Sequence, residues 1–321
     1  MSAAHTATTI ESMDDIPEIL NQPTGQRKID NERPLAPGLY LVATPIGNLE
    51  DITLRALRVL KTADLIACED TRQTQKLFNH YGIETPTTSN HEHNEAEKTR
   101  DFIDQLKQGA RIAVVSDAGM PGISDPGMFL AKAAIEAGIA VYPIPGANAA
   151  LSALVASGLA TEKFHYAGFL PAKTGARRAE LEQLARQVPQ EDSLTMVFYE
   201  APHRILETLE DIERVWGEHC QVVVARELTK LHEEFLRGKV MEVRQQLASR
   251  ERIRGEITLL VEAKSFAAST NQTAISISAR VHELQQSENL NEMEALKRTA
   301  RERGISKSEA YRELQRERAR R

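Results

Sequence analysis

From Gly38 onward, short uninterrupted apolar runs alternate with helical patterns, and most of the helical stretches stop at a glycine. The runs "GLYLVAT", "DLIACED", "RIAVVSD" and "IAVYPIP" lack polar alternation, so both faces of each strand must be covered. A helix is expected from about Asp51, with Ile52, Ala56, Val59 and Ala63 at helical spacing. "RQTQKLFNHYG", "EAEKTRDFIDQLKQG" and "MFLAKAAIEAG" follow as helices stopped by Gly82, Gly109 and Gly138. "ANAALSALVASG" is a small-residue helix capped by Asn148 and ended by Gly158. This order predicts an α/β fold with a mainly parallel sheet and helices on both faces.

The spacing changes after residue 160. "FHYAGFL", "LTMVFYE", "QVVVAREL" and "GEITLLVEA" read as strands, with helices near 175–187, 202–215 and 240–250. The expected organisation is a disordered extension over 1–36, an N-terminal α/β domain over 37–158 and a C-terminal α/β domain over 159–264. A linker over 265–287 then leads to a basic helical extension over 288–321, read as two helices around Gly304. A helix-turn-helix and a simple docked helix pair both fit that tail.

A chain of 321 residues has room for two cores. No apolar run approaches the roughly 20 residues of a membrane span, and the N-terminus lacks a basic-then-apolar leader. A cytoplasmic location is expected. Cys68 and Cys220 are far apart and match no metal spacing, so reduced buried thiols are expected. His91 and His93 in "HEHNE" are too few for a metal site, and no metal is expected. The net charge of −6 argues against indiscriminate nucleic-acid binding. Between Lys297 and Arg321, however, ten basic residues face four glutamates, giving +6 there and −12 elsewhere. Such a tail suits a local anionic contact or a solvated helix face.

Three Gly/Pro-rich loops, "ATPIGN", "SDAGMPGISDPG" and "PIPGANAA", leave strand ends on one side of the expected sheet, where open α/β folds bind ligands. The first has a single glycine, Gly47, so it is neither a dinucleotide fingerprint nor a triphosphate loop. Asp117 sits at a strand end and is expected at the ligand site. Asp125, just before Pro126, is expected to cap the next helix.

Read in order, "GLYLVATPIGNLEDITLRALRVLKTADLIACEDTRQT", "VVSDAGMPGISDPG", "IPGANAALSALVASGL", "FHYAGFLP", "FYEAPHRI" and "ARELTKLHEEFLRG" resemble the ribosomal RNA small subunit methyltransferase I family. The resemblance runs over about 38–263 and extends weakly into "GISKSEAYRE". These are tetrapyrrole-methylase-fold enzymes that methylate a cytidine ribose 2′-oxygen in bacterial 16S rRNA. The resemblance implies a two-domain fold with S-adenosylmethionine in the cleft between the domains. It implies 16S rRNA within the 30S subunit as partner, and a homodimer.

Matching motifs carry over Asp117, Ala118, Gly119, Ile123, Asn148, Ala149, Tyr199 and Ala225 as cofactor contacts, with Ile46 beside them. Expected substrate contacts are Asn48, Arg72, His203, Arg204 and Arg226, with Arg177 and Arg178 in "AKTGARR" facing RNA. In-line methyl transfer needs alignment and a proton acceptor, and Asp70 in "CEDTR" and Glu200 in "YEAPHR" are the candidates. The alternatives are another methyltransferase of this fold, acting on a tetrapyrrole or diphthine-type substrate, and a non-catalytic ribosome-assembly factor.

Overall fold

A computed structural model describes residues 34–90, 95–125, 127–188, 193–264, 276–288, 290–302 and 306–319. The expected extension over 1–36 lies almost wholly outside them, as do His91 and His93 and residues 265–275 of the expected linker. The chain divides into two compact units, Met1–Ala147 and Asn148–Arg321. This division and the expected one at 158 differ by one helix.

The first unit holds strands β1 (Gly38–Val42), β2 (Leu65–Cys68), β3 (Thr87–Ser89), β4 (Arg111–Val115) and β5 (Val141–Ile144). They form one sheet in the order β3-β2-β4-β1-β5, with every pairing parallel. Helices α1 (Leu54–Thr62), α2 (Thr71–Tyr81), α3 (Glu95–Lys107) and α4 (Met128–Glu136) cover it. Strand periodicity sorts the core into two layers. Tyr40, Val42, Ile66 and Cys68 pack with Ala56, Leu60 and Phe78 of α1 and α2. Leu39, Ala67, Ile112 and Val114 pack with Phe102 of α3 and Leu130 of α4. Leu39, Ile66 and Ile112 are fully buried, each contributing roughly 1.5–3 kcal/mol by leaving water. This two-sided burial is what the unbroken apolar runs require.

In the second unit the chain continues through α5 (Ala149–Ser157), β6 (Phe164–Phe169), α6 (Thr174–Gln187), β7 (Ser193–Glu200) and α7 (Ile205–Trp216). Next come β8 (Gln221–Arg226), β9 (Glu234–Lys239), α8 (Val240–Ala248) and β10 (Ile257–Lys264). The sheet order is β6-β7-β10-β8-β9. Only β6–β7 is parallel; the other pairs are antiparallel. β3 and β9 are not among the strands expected from periodicity. The first is a three-residue polar edge, and the second is a charged edge strand whose residues are only partly buried.

Residues 277–287, expected as linker, are helical. α9 (Ile277–Glu288) joins α10 (Glu292–Glu302) and α11 (Lys307–Ala319), so among the described residues the two helices expected on either side of Gly304 are present and a third precedes them where a linker was expected. Ile277, Val281, Leu284, Leu296, Ala310 and Leu314 form its buried core. Glu317 on α11 accepts from the Ile277 and Ser278 amides at 3.1 and 2.8 Å, capping α9. The apolar residues of "AISISARVHEL" are the helical signal that the linker reading passed over.

Candidate functional site

The carboxyl ends of β1, β2 and β4 bring together the loops singled out in the sequence. Thr44 and Gly119 form an isolated antiparallel bridge, exchanging amide bonds of 2.9 and 3.1 Å. The Thr44 hydroxyl donates to the Ser116 carbonyl at 3.2 Å. Gly119 has φ +82°, and a Cβ there would lie 3.4 Å from Ile46 Cγ2. Ile46 is buried and fills the space that this glycine leaves. On the other side, a Cβ on Gly146 would sit 2.8 Å from Ala43 Cβ, so the loop after β5 presses directly on the loop after β1. Asn48 accepts from the Glu50 amide at 3.1 Å and caps a short 3-10 turn.

Several carboxyl groups gather at these strand ends. Asp117 Oδ1 accepts from the Asp70 amide at 3.2 Å, tying the loops after β2 and β4 together. Asp70 is the N-cap of α2 and accepts from the Arg72 amide at 2.8 Å. It also takes the Arg72 guanidinium in a fork at 3.2 and 3.0 Å. Those bonds hold its carboxyl below the usual aspartate range, which makes it a weak proton acceptor. Arg72 keeps most of its side chain in solvent.

Asp125 departs from expectation. The N-cap of α4 is Gly127, with no side-chain bond, so Asp125 does not cap that helix. It is half-buried. Burial first, then the charges of Glu69 and Asp117, push it up to about 6. At the end of β3, Asn90 is buried, and neither of its side-chain amide atoms has a hydrogen-bond partner. Neither environment is legible in the sequence. An Asp-Pro pair reads as a helix start, and Asn90 follows a strand too short to detect. Ile123 is exposed, whereas Ala118 and Gly119 lie in the bridged loop.

The second unit places the remaining candidates. Asn148 accepts from the Leu151 amide at 2.9 Å and caps α5, whose first residue is Ala149. The Tyr199 ring meets Tyr166 and Phe169 edge-on at 5.3 and 5.7 Å. Ala225 is buried within β8. Glu200 is also buried, with both oxygens engaged. Its Oε1 takes the Ala201 amide at 2.7 Å and Arg204 Nε at 2.8 Å, and its Oε2 takes the Thr208 hydroxyl at 2.6 Å. Such a carboxylate holds the β7–α7 turn and is badly placed to accept a proton. Arg204 further donates to the Leu170 carbonyl at 3.0 Å. Arg226 pairs with Glu234 at 3.0 Å, and His203 is exposed.

Arg177, expected to face RNA, is fully buried. It donates to Asp211 at 2.7 Å and Glu207 at 3.2 Å, and Arg178 donates to the other Asp211 oxygen at 2.5 Å. "GARR" is therefore the start of a core-facing helix and not a loop. Arg178 keeps part of its side chain in solvent. Among the described residues no group of His, Cys, Asp and Glu is arranged to hold a metal ion.

Residues 38–244 match the tetrapyrrole (corrin/porphyrin) methylases. The chain belongs to that family. Among similar proteins, the ribosomal RNA small subunit methyltransferase I of Halalkalibacterium halodurans is 47% identical over 275 residues, covering 85% of this chain and 93% of the relative. The protein of the same name from Haemophilus influenzae is 50% identical over 227 residues, covering 70% and 78%. In structure, the chain resembles uroporphyrin-III C-methyl transferase from Thermus thermophilus, solved with S-adenyl homocysteine. That match has a TM-score of 0.50 at 18% identity and covers 72% of this chain and 99% of the other. At that identity the likeness speaks for the methylase fold alone.

Proposed function

We propose that this methylase transfers a methyl group from S-adenosylmethionine to the ribose 2′-hydroxyl of a cytidine in 16S rRNA, on the small ribosomal subunit in the cytoplasm. The observation that carries the reading is the near full-length likeness to ribosomal RNA small subunit methyltransferase I. It extends over the bridged loops and carboxylates at the β1, β2 and β4 ends. No helix among the described residues is long and apolar enough to cross a membrane.

The donor set suits the cofactor. Carboxylates accept from ribose hydroxyls and favour a cation, and glycine-rich backbone permits close approach. Unpartnered Asn90 offers both a donor and an acceptor. The bound cofactor would supply a methyl carbon on a sulfonium, open to attack by oxygen. The protein must hold the 2′-oxygen in line, worth roughly 7–11 kcal/mol of the barrier, and must accept the hydroxyl proton as the carbon–oxygen bond forms.

Asp70 and Glu200 are committed to Arg72 and to the 200–208 turn. We therefore assign the proton to Asp125, which is half-buried near Glu69 and Asp117 at these strand ends and, among the described residues, forms no ion pair. Burial pushes it up to about 6, near neutrality, where a general base is most effective. The 2′-hydroxyl is also the group that separates RNA from DNA. Exposed Lys297, Arg298, Lys307, Arg312 and Arg316 give α10 and α11 a basic face suited to rRNA. Met128, Phe129 and Ile135 leave α4 with exposed apolar side chains, which a second copy in a homodimer would cover.

The test is incubation with methyl-labelled S-adenosylmethionine and unmethylated small-subunit particles. Label is expected in the RNA at one cytidine, with the adjoining phosphodiester resistant to alkali because the 2′-oxygen is blocked. Absence of label, or label on a base with alkali sensitivity retained, would overturn the proposal.

A further inference from the structure

Most arginines near the β7 and β8 ends are already neutralised. Arg204 is held by Glu200 at 2.7 Å, and Glu234 is shared by Arg226 at 3.0 Å and Arg250 at 2.5 Å. Hydrogen bonds from Arg250 and Arg226 bring Glu234 down to about 2, so this clamp stays charged at any working pH. The turn between α8 and β10, "SRERIRGE", has two further arginines, Arg252 and Arg254. Both side chains are exposed, and among the described residues neither forms an ion pair.

That turn is rigidly built. Arg226 donates to the Arg254 carbonyl at 3.1 Å. Glu227 and Glu256 exchange a backbone bond of 2.9 Å and a side-chain bond of 3.0 Å. Gly255 has φ +88°, and a Cβ there would lie 2.4 Å from the Glu227 side chain, so only glycine fits. Between this turn and the start of α7 lies a groove of about 540 Å³, with Pro202, Leu206 and Ile253 as its apolar lining and His203, Arg252, Arg254 and one carboxylate, Glu251, as its polar lining. The volume is in the range of small-ligand sites.

We propose that this groove takes a single-stranded segment of the RNA substrate, with Arg252 and Arg254 meeting successive phosphates and a base lying against the Ile253–Pro202 wall. The inference rests on the methyltransferase reading and assigns phosphate contacts to this turn, beside Arg204 and Arg226, which were expected as substrate contacts. Cationic rims beside apolar surface are how proteins hold single strands. Two arginines on a preformed turn bind phosphate with little cost in backbone ordering. A chain of net charge −6 needs such local sites if it is to bind RNA at all.

The test compares wild type with the double variant Arg252→Ala/Arg254→Ala in binding to unmethylated small-subunit particles across a salt series. Lys132→Ala serves as the charge-loss control. Each lost single-strand phosphate contact should flatten the slope of log K against log salt by about 0.7. Two contacts then remove about 1.4, or roughly 25-fold in affinity at 0.1 M salt relative to 1 M. An unchanged Trp216 fluorescence unfolding midpoint shows that the variant is folded. A flatter slope upholds the groove, and a wild-type slope overturns it, whether or not label transfer is seen. Transfer by wild type together with an unchanged variant slope would sink the groove alone. No particle binding by wild type would sink both.

Discussion

Replacing Asp125 with Asn should stabilise the first unit while abolishing methyl transfer. Asp125 titrates at about 6 against an unfolded reference of 3.8. The native chain therefore holds this proton over a range where the unfolded chain has lost it, and stability falls as pH rises from about 4 to about 6. A shift of about two units corresponds to about 3 kcal/mol, and part-exposure to solvent reduces that to about 1–2 kcal/mol. Asparagine mimics the protonated carboxyl and carries no such cost above pH 6. Hydrogen exchange of the β4 amides reads the first unit directly. Protection in Asp125→Asn should exceed wild type by about 5–30-fold at pH 7.5 and match it near pH 4. An equal gain at both pH values would mean improved packing instead. No gain at pH 7.5 would refute the claim that burial and the neighbouring Glu69 and Asp117 charges strain this carboxyl. Transfer activity retained in the variant would remove Asp125 as the proton acceptor even if the stability gain appeared.

Two further outcomes follow from the second unit. Asp211→Ala leaves Arg177 buried without its 2.7 Å carboxylate, and stability should drop by about 3–5 kcal/mol; Trp216 fluorescence under denaturant would show it, and a loss below about 1 kcal/mol would contradict a buried ionic role. Glu317→Ala uncovers the Ile277 and Ser278 amides and should cost α9 about 0.5–2 kcal/mol, seen as faster exchange at its first turn, whereas unchanged exchange would mean that the cap contributes nothing.

The parallel sheet of the first unit is legible because its central strands β1, β2 and β4 are buried on both faces, which leaves short continuous apolar runs, and because these alternate with helical patterns. The edges are not legible. β3 is two threonines and a serine, held by parallel pairing to β2 and not by any pattern of its own. β9 alternates charge and apolar residues too irregularly to declare a face, and it becomes a strand by antiparallel pairing with β8. α9 was hidden for a different reason. Its apolar residues follow a Ser/Thr/Asn-rich stretch that reads as loop, and the helix is completed by a core supplied from α10 and α11.

The candidate site shows the same division between what a pattern carries and what only pairing decides. Glycine-bearing loops announce a strand-end site because their backbone needs are local, and the Thr44–Gly119 bridge meets those needs. Charge is different. Arg204 finds Glu200 within "YEAPHR" itself, but nothing in "ARE" or "GARR" shows that the arginines there are already matched, because the partners of Arg177 and Arg226, Asp211 and Glu234, come from other elements. A paired arginine has less to offer a phosphate, since its charge is already met by a carboxylate at 2.7–3.0 Å. The cations available for substrate are therefore those the fold leaves without a carboxylate. Arg252 and Arg254 belong to that set, on a turn fixed by the Glu234 clamp and by a glycine that nothing larger can replace.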